Sequence, residues 1–173
     1  MYKTLEAFFI YPTKTHYLMD ISRKAKLAHT SVKKNLDKLV KLGIIVESVE
    51  KRGKRKFPFY KANLNSKLFK KYKSIYNINS IFDSEMAEFI EDKLAPKSIV
   101  LFGSYSRGED VEDSDIDIFV ECEKTGLDLS DFEKRLWRKV ELHFNENFTS
   151  YEKELKNNII NGIVLKGFLE GFR

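Results

Sequence analysis

The fold of the second half of this chain is decided by one stretch, GSYSRGEDVEDSDIDIFV, residues 103–120. The apolar run before it, residues 98–102, predicts a buried strand, and residues 114–120 predict a second strand. A glycine directly after a strand lets the backbone approach a ligand closely. The stretch therefore predicts a strand, a tight turn and a second strand arranged around a ligand.

Two carboxylates lie two residues apart within this stretch, Asp115 and Asp117. On a strand, residues at this spacing face the same side, and the intervening Ile116 faces the core. Adjacent carboxylates repel each other unless cations neutralise them. Mg²⁺ prefers such oxygen ligands and often bridges carboxylates and nucleotide phosphates, so the pair indicates a magnesium site.

The segment between the predicted strands indicates phosphate binding. Ser104 is expected to begin a short helix, whose free N–H groups and positive dipole end favour an anion. Arg107 lies near that helix and offers a planar, two-pronged donor to phosphate oxygens.

The order of strand, Gly-Ser, Arg-Gly and Ser-Asp-x-Asp resembles the DNA-polymerase-β-like nucleotidyltransferase superfamily, whose pattern is Gly-Ser-x-x-Arg-Gly and then Ser-Asp-x-Asp on the next strand. It is close to the stand-alone members called minimal nucleotidyltransferases, and the resemblance covers residues 84–168. It implies two Mg²⁺ ions and ATP or another nucleoside triphosphate as substrate. The implied nucleotide-binding residues are Gly103, Ser104, Arg107 and Ser114, and the implied catalytic metal ligands are Asp115, Asp117 and Glu141.

Glu141 enters this set by position, because the family has a third carboxylate, more often aspartate, on a neighbouring strand. The run of residues 139–144 is the expected strand. His143 alternates with Glu141 there, and we expect it to be a neighbour of the site or a packed side chain rather than a metal ligand. In the family the third carboxylate helps to activate the attacking hydroxyl.

The resemblance implies an enzyme that transfers a nucleoside monophosphate, AMP from ATP, to a hydroxyl acceptor. The acidic charge of the second half favours a protein or a small molecule over a polynucleotide as acceptor. Minimal nucleotidyltransferases often act as antitoxins that modify a partner toxin of the HEPN type, so a toxin protein is one expected acceptor. The alternative is a non-catalytic winged-helix transcription regulator whose second domain senses a nucleotide or docks a partner.

The first half predicts three helices, near residues 4–10, 20–27 and 31–42, and then strands at 44–49 and 57–62 around a basic loop, 51–56. This order resembles the winged helix-turn-helix family of DNA-binding domains over residues 1–64. The third helix has one apolar stripe, and its opposite face is suited to a major groove. The expected contacts to double-stranded DNA are Ser31, Lys34, Lys38, Lys41, Arg52, Lys54 and Arg55.

Charge divides the chain in the same place. Its 173 residues carry a net charge of +5, but residues 1–80 hold 19 basic and 5 acidic side chains, and residues 81–173 hold 12 and 21. A basic half indicates a polyanion partner. We predict an α+β protein with a winged helix domain at 1–64, a connecting helix at 65–80 and a nucleotidyltransferase domain of mixed sheet and helices at 81–173. Lysines of the connecting helix, Lys67 to Lys73, are expected to extend the basic surface.

Composition excludes several classes. The single cysteine, Cys122, rules out a disulfide framework and a cysteine-rich zinc site. No apolar run approaches the length of a membrane span, and no secretory leader is visible, so we expect a cytoplasmic protein without a membrane partner. A homodimer remains open. Phe132 and Trp137 are expected in the core, and the acidic run at 109–113 is expected to be a solvated loop.

Overall fold

The computed structural model of the protein describes residues 1–146, 148 and 151–170, and the side chain of Arg52 is outside this description. The chain forms two compact units, the first comprising Met1–Tyr76 and the second beginning at Asn77. The predicted domain limits at residues 64 and 80 fall on either side of this division. Among the described residues, no helix is both long enough and apolar enough to cross a membrane.

The first unit contains three helices followed by a hairpin, in the predicted order. Its elements are α1 (Tyr2–Ile10), α2 (Leu18–Ala25), α3 (His29–Lys41), β1 (Ile45–Arg52) and β2 (Arg55–Ala62). Each helix begins about two residues before its predicted start. Such differences are common, because the first turn of a helix lacks internal hydrogen bonds and its pattern is weak.

The apolar stripe of α3 forms part of the core of this unit. Val32, Leu36 and Leu39 are fully buried. Each such side chain contributes about 1.5–3 kcal/mol when it leaves water. Around them pack Leu5, Phe8, Phe9, Ile21, Ile44, Ile45, Tyr60 and Phe69. The stripe faces inward as predicted, which leaves the opposite face of α3 to solvent.

The hairpin differs from its prediction in length. The antiparallel ladder continues to Arg52 opposite Arg55, and the turn consists of Gly53 and Lys54 alone. Gly53 adopts a positive φ of 62°, which suits a two-residue turn because its twist matches that of the strands. The predicted basic loop at 51–56 is therefore wrong: most of its cations lie on paired strands.

The connecting helix is also longer than predicted. Helix α4 runs from Lys67 to Ser84 and is followed after a single residue, Glu85, by α5 (Met86–Leu94). Glu85 has a φ of 59°, and the Ser84 hydroxyl accepts a hydrogen bond from the Met86 N–H at 3.3 Å. Lys73 on α4 is fully buried, so the expectation that it extends a basic surface is wrong.

The second unit is built on a four-stranded mixed sheet in the order β5-β4-β3-β6. Its remaining elements are β3 (Ser98–Phe102), α6 (Gly103–Arg107), β4 (Ile116–Val120), α7 (Ser130–Leu136), β5 (Val140–Phe144), α8 (Lys153–Ile160) and β6 (Ile163–Gly167). Strands β4 and β5 are parallel, and β3 is antiparallel to both β4 and β6. An α+β unit with a mixed sheet was predicted, and this part of the prediction is confirmed.

Both faces of the sheet are covered by apolar side chains. On one face, Ile116, Ile118 and Leu101 pack with residues of α5 and α7. On the other face, Phe102 and Phe119 pack with residues of α8 and its surroundings. The alternation along β4 therefore places Asp117 on the same side as Phe119, and leaves it on a rigid strand rather than a loop.

The close approach of Gly162 to the sheet makes a testable prediction. A Cβ added there would lie 2.6 Å from the Leu101 carbonyl oxygen and 2.8 Å from Val100 Cγ1, whereas one added at Gly126 meets nothing within 4 Å. We expect Gly162→Ala to lower the free energy of unfolding of the second unit by about 1–3 kcal/mol through overpacking. Gly126→Ala is the control and should change it by less than about 0.5 kcal/mol. Denaturant unfolding followed by Trp137 fluorescence measures both, and equal effects of the two changes would contradict the packing.

Candidate functional site

Three potential metal ligands converge where β4 and β5 run side by side. The parallel register pairs Asp117 with Glu141, so both carboxylates face the same side of the sheet. His143 lies two residues after Glu141 on that side. One ligand atom from each of the three residues lies within 4.8 Å of the others. The family resemblance placed Asp117 and Glu141 on neighbouring strands, and the structure brings them together.

His143 is held by the cluster through a hydrogen bond. Its Nε2 atom lies 3.3 Å from Asp117 Oδ1, and its ring contacts the edge of Phe102 at 5.0 Å between centroids. The hydrogen bond to Asp117 raises the pKa of His143, the charge of Glu141 adds to this effect, and partial burial opposes it. A protonated His143 is therefore favoured while no other cation balances the carboxylates.

Gly103 leaves room for the cluster. It begins α6 with a φ of 73°, a conformation that side chains rarely adopt, and a Cβ at this position would collide with the Asp117 carboxylate. Glycine is required here for two independent reasons, its conformation and the space that Asp117 occupies.

The donor set suits a divalent cation. Two carboxylates and an imidazole offer oxygen and nitrogen ligands, and a cation between them would remove the repulsion of the acidic pair. Asp117 and His143 are half-buried and Glu141 is exposed, so the cluster is open on one side to a substrate. These residues fit the metal that the sequence motif implies.

Asp115 stands apart from this group. Strand β4 begins at Ile116, so Asp115 immediately precedes it and is exposed. It is not among the residues whose ligand atoms converge with those of Asp117. Ser114, before it, accepts a hydrogen bond from the Val111 N–H at 2.9 Å through its hydroxyl and closes a turn. Ser114 and Asp115 together line a neighbouring pocket.

The predicted phosphate ligands lie on α6. This helix follows directly from β3, as expected, and carries Ser104 near its start and Arg107 at its end. The Arg107 Nε atom donates to Glu109 at 2.9 Å, and both side chains are substantially exposed. An exposed pair of this kind contributes about 0–1 kcal/mol, so Arg107 can exchange Glu109 for a phosphate at small cost.

The acidic run contains one buried residue, which corrects the expectation of a solvated loop. Asp110 is 2% exposed, and its Oδ1 atom accepts a hydrogen bond from Asn77 at 2.8 Å. Arg138 Nη2 lies 3.7 Å from Asp110 Oδ2, with side chains 6% and 1% exposed. Removing one partner of a buried pair costs about 3–5 kcal/mol. The pair therefore anchors the loop that precedes Asp115 to the segment that precedes β5.

Trp137 is not a core residue, which corrects a second expectation. Phe132 is buried as predicted, but Trp137 is 68% exposed and ends α7 in the left-handed conformation, with a φ of 56°. A non-glycine residue held in that region costs about 1–3 kcal/mol. Trp137 lines a pocket of about 710 Å³ that also includes Ser114 and Asp115.

The first unit has a basic surface on α3. Ser31, Lys34, Lys38 and Lys41 are all exposed, as the stripe predicted. Lys33 is engaged within the unit, because its Nζ lies 2.9 Å from Asp37 and 3.1 Å from both Glu47 and the Tyr60 hydroxyl. These contacts, the hydrogen bond to Asp37 foremost, raise the pKa of Lys33.

The hairpin adds cations to the same unit. The ladder sets Lys51 opposite Lys56 and Arg52 opposite Arg55. Like charges directly opposite on two strands are destabilising unless an anion lies near them. Lys54 and Arg55 are exposed. Arg52 belongs to β1 by its backbone, and its side chain lies outside the described part of the protein.

Two residues of interest were not predicted as functional. His143 was expected to be a neighbour of the site, and it contributes a ligand atom to the cluster; its spacing of two from Glu141 on one strand was the available signal. Trp137 was expected in the core, and it is instead exposed, directly after α7 and in the left-handed conformation. No sequence pattern marks that conformation at a tryptophan.

The raised pKa of His143 predicts a pH-dependent stability. The ion pair with Asp117 is fully present below the ordinary histidine pKa of 6.5 and is lost as the pH rises through the raised value. In metal-free buffer, we expect the deficit in free energy of unfolding of His143→Gln to be larger at a pH of about 5.5 than at about 9. Denaturant titrations followed by Trp137 fluorescence measure it, with the exposed His29→Gln as control. A deficit that does not vary with pH would contradict the geometry.

Comparison with known proteins gives one family match and one curated relative that bear on function. Residues 83–166 match the model of a family described as the nucleotidyltransferase domain. A protein of Methanocaldococcus jannaschii named "Putative protein adenylyltransferase" is 46% identical over 63 residues, which cover 32% of this chain and 63% of that protein. The chain thus spans less than two thirds of that relative's length. No solved structure matches this chain. These matches support a nucleotidyltransferase domain in the second half of the chain, within the nucleotidyltransferase superfamily.

Proposed function

We propose that the protein transfers AMP from ATP to a hydroxyl group of a protein acceptor, and that its first unit binds double-stranded DNA. The observation that carries the first part is the convergence of Asp117, Glu141 and His143 beside Gly103, within a matched nucleotidyltransferase domain. The second part rests on the exposed lysines of α3 and the opposed cations of the hairpin.

The proposed reaction is an in-line nucleotidyl transfer from ATP to the acceptor hydroxyl. The acceptor hydroxyl oxygen forms a bond to the α-phosphorus, the bond between that phosphorus and the bridging oxygen breaks, and pyrophosphate leaves with the electron pair. Glu141 accepts the hydroxyl proton. The amides at the start of α6 and the Arg107 guanidinium bind the leaving phosphates, and Ser104 adds a hydroxyl donor.

Asp117 and Glu141, with Asp115 nearby in sequence, are the residues that would hold the two Mg²⁺ ions. His143 supplies a nitrogen ligand or a hydrogen bond that orients Asp117. When bound, a divalent cation neutralises phosphate charge and lowers the pKa of a coordinated hydroxyl. Asp117 lies on β4 between Ile116 and Ile118, which are both buried, so its position is fixed before substrate binds.

A protein acceptor suits the charge of the second half better than a polynucleotide. That half carries 12 basic and 21 acidic side chains, which would repel a phosphate backbone. The relative from Methanocaldococcus jannaschii is named for protein adenylyl transfer. We propose a partner toxin as acceptor, as the resemblance to antitoxin nucleotidyltransferases implies.

The alternative is a DNA-binding regulator whose second unit senses a nucleotide without transferring it. The open side of the cluster, formed by the exposed Glu141, favours the enzyme, because an acceptor must reach the reacting phosphorus. The two functions differ in one observable: the enzyme leaves covalent AMP on a protein, and the sensor leaves none.

Transfer should depend on Asp117. In an assay with Mg²⁺ and ATP labelled on the α-phosphate, we expect Asp117→Asn to slow labelling of the co-purified acceptor by about 100-fold or more. The reason is that the variant loses the negative charge of the Asp117 carboxylate at the reacting centre. The exposed Asp92→Asn on α5 is the matched control and should label at the wild-type rate. Unchanged labelling by Asp117→Asn would refute the catalytic assignment.

DNA binding should depend on α3. Replacing Lys34 and Lys38 by alanine should lower the slope of log affinity against log salt by about two, since each lost phosphate contact removes about 0.9. The exposed Lys153→Ala on α8 of the second unit is the control. Fluorescence anisotropy of a labelled duplex measures both, and a wild-type slope in the double variant would show that α3 does not contact DNA.

A further inference from the structure

Trp137 is the single tryptophan of the chain, and it lies on the surface in a strained backbone conformation. Tryptophan normally stabilises a fold by burying its large ring, and glycine normally occupies a left-handed helix end. Neither stability reason applies at this position. A residue that is both strained and exposed is a candidate for contact with a ligand.

We propose that the pocket beside Trp137 binds the base of the substrate nucleotide, with the base stacked on the indole ring. This inference rests on the proposed nucleotidyl transfer and adds the recognition of the base. Stacking on an aromatic side chain suits a nucleobase, because every base presents a π-face of comparable size.

The pocket has the size for this role, and it adjoins the signature motif. Its volume of about 710 Å³ lies within the range of small-molecule sites. It includes Ser114 and Asp115 of the signature motif, so it adjoins the segment that leads into β4 and Asp117. The Ile116 N–H donates to the Lys139 carbonyl at 2.8 Å, which keeps the Trp137 segment beside that motif.

The charge of the pocket favours the base over the phosphates. Four acidic and three basic side chains line it, so no single sign prevails. Its charged lining residues are Glu112, Asp113, Asp115, Glu133, Lys134, Arg138 and Lys139. A polyanion needs a basic site, whereas an uncharged base uses neighbouring donors and acceptors. The phosphates are therefore assigned to α6 and the metal ligands, and the base to Trp137.

Two hydrogen bonds fix the backbone of Trp137 and so define where its ring leaves the chain. Its N–H donates to the Glu133 carbonyl at the end of α7, and its own carbonyl accepts from Arg138 Nη1 at 2.8 Å. Arg138 is in turn paired with the buried Asp110. Because this backbone is already ordered, nucleotide binding costs less conformational entropy at the site.

Fluorescence gives a direct test, because all indole emission comes from Trp137. Titration of the full-length protein with ATP and Mg²⁺ should quench this emission in a saturable manner, and magnesium tripolyphosphate, which lacks the base, should not. Equal quenching by tripolyphosphate, or no quenching by ATP under conditions where transfer proceeds, would overturn the stacking.

Kinetics of variants separate recognition from folding. We expect Trp137→Gly to raise the KM for ATP about tenfold or more while its melting temperature stays the same or rises, since glycine relieves the left-handed strain. Trp137→Phe should restore much of the affinity. Phe168→Ala, at an aromatic side chain that is 76% exposed, is the matched control and should keep the wild-type KM. An unchanged KM for ATP in Trp137→Gly, or a raised KM for the acceptor alone, would overturn the proposal.

The outcomes distinguish this inference from the proposed function. Wild-type protein that transfers no nucleotide to any acceptor and shows no quenching would refute both. Wild-type protein that labels its acceptor while Trp137 emission stays constant would leave the transferase in place and refute only the base site.

Discussion

The candidate site depends on the parallel pairing of β4 with β5. That register places Asp117 beside Glu141 and, two residues on, brings His143 within hydrogen-bond distance of Asp117. A shift of this register by one residue would turn one of the acids to the opposite face of the sheet. The buried residues on either side of Asp117 hold that register, because a slip would expose Ile116 and Ile118 to water.

A second constraint joins the motif to the segment before β5. Asp110 and Arg138 form a buried ion pair, so the loop between α6 and β4 is tied to the end of α7. The same tie positions Trp137 beside Asp115. The proposed phosphate ligands, metal ligands and base-stacking residue thus come from separate segments of the chain, which the pairing of β4 with β5 and one buried ion pair hold together.

The two units divide charge as they divide structure. In the first unit, the apolar stripe of α3 is buried, so the lysines on its opposite face are exposed. Lys33 differs from them, because it contacts Asp37, Glu47 and Tyr60. In the second, acidic side chains exceed basic ones. The surface proposed to bind DNA is basic, and the domain proposed to bind metal and nucleotide is acidic, so the charge of each unit suits the ligand proposed for it.

Local patterns were sufficient for the order of the elements and for the inward face of α3, because periodicity is a property of neighbouring residues. Glu141, the carboxylate on the strand beside Asp117, was expected from the family resemblance and not from a local pattern. The tertiary structure alone decided that Asp110 is buried, that Trp137 is exposed and that His143 joins the acids. Burial and convergence depend on residues distant in sequence, Asn77 and Arg138 for Asp110 and Asp117 for His143, and no local pattern reports such contacts.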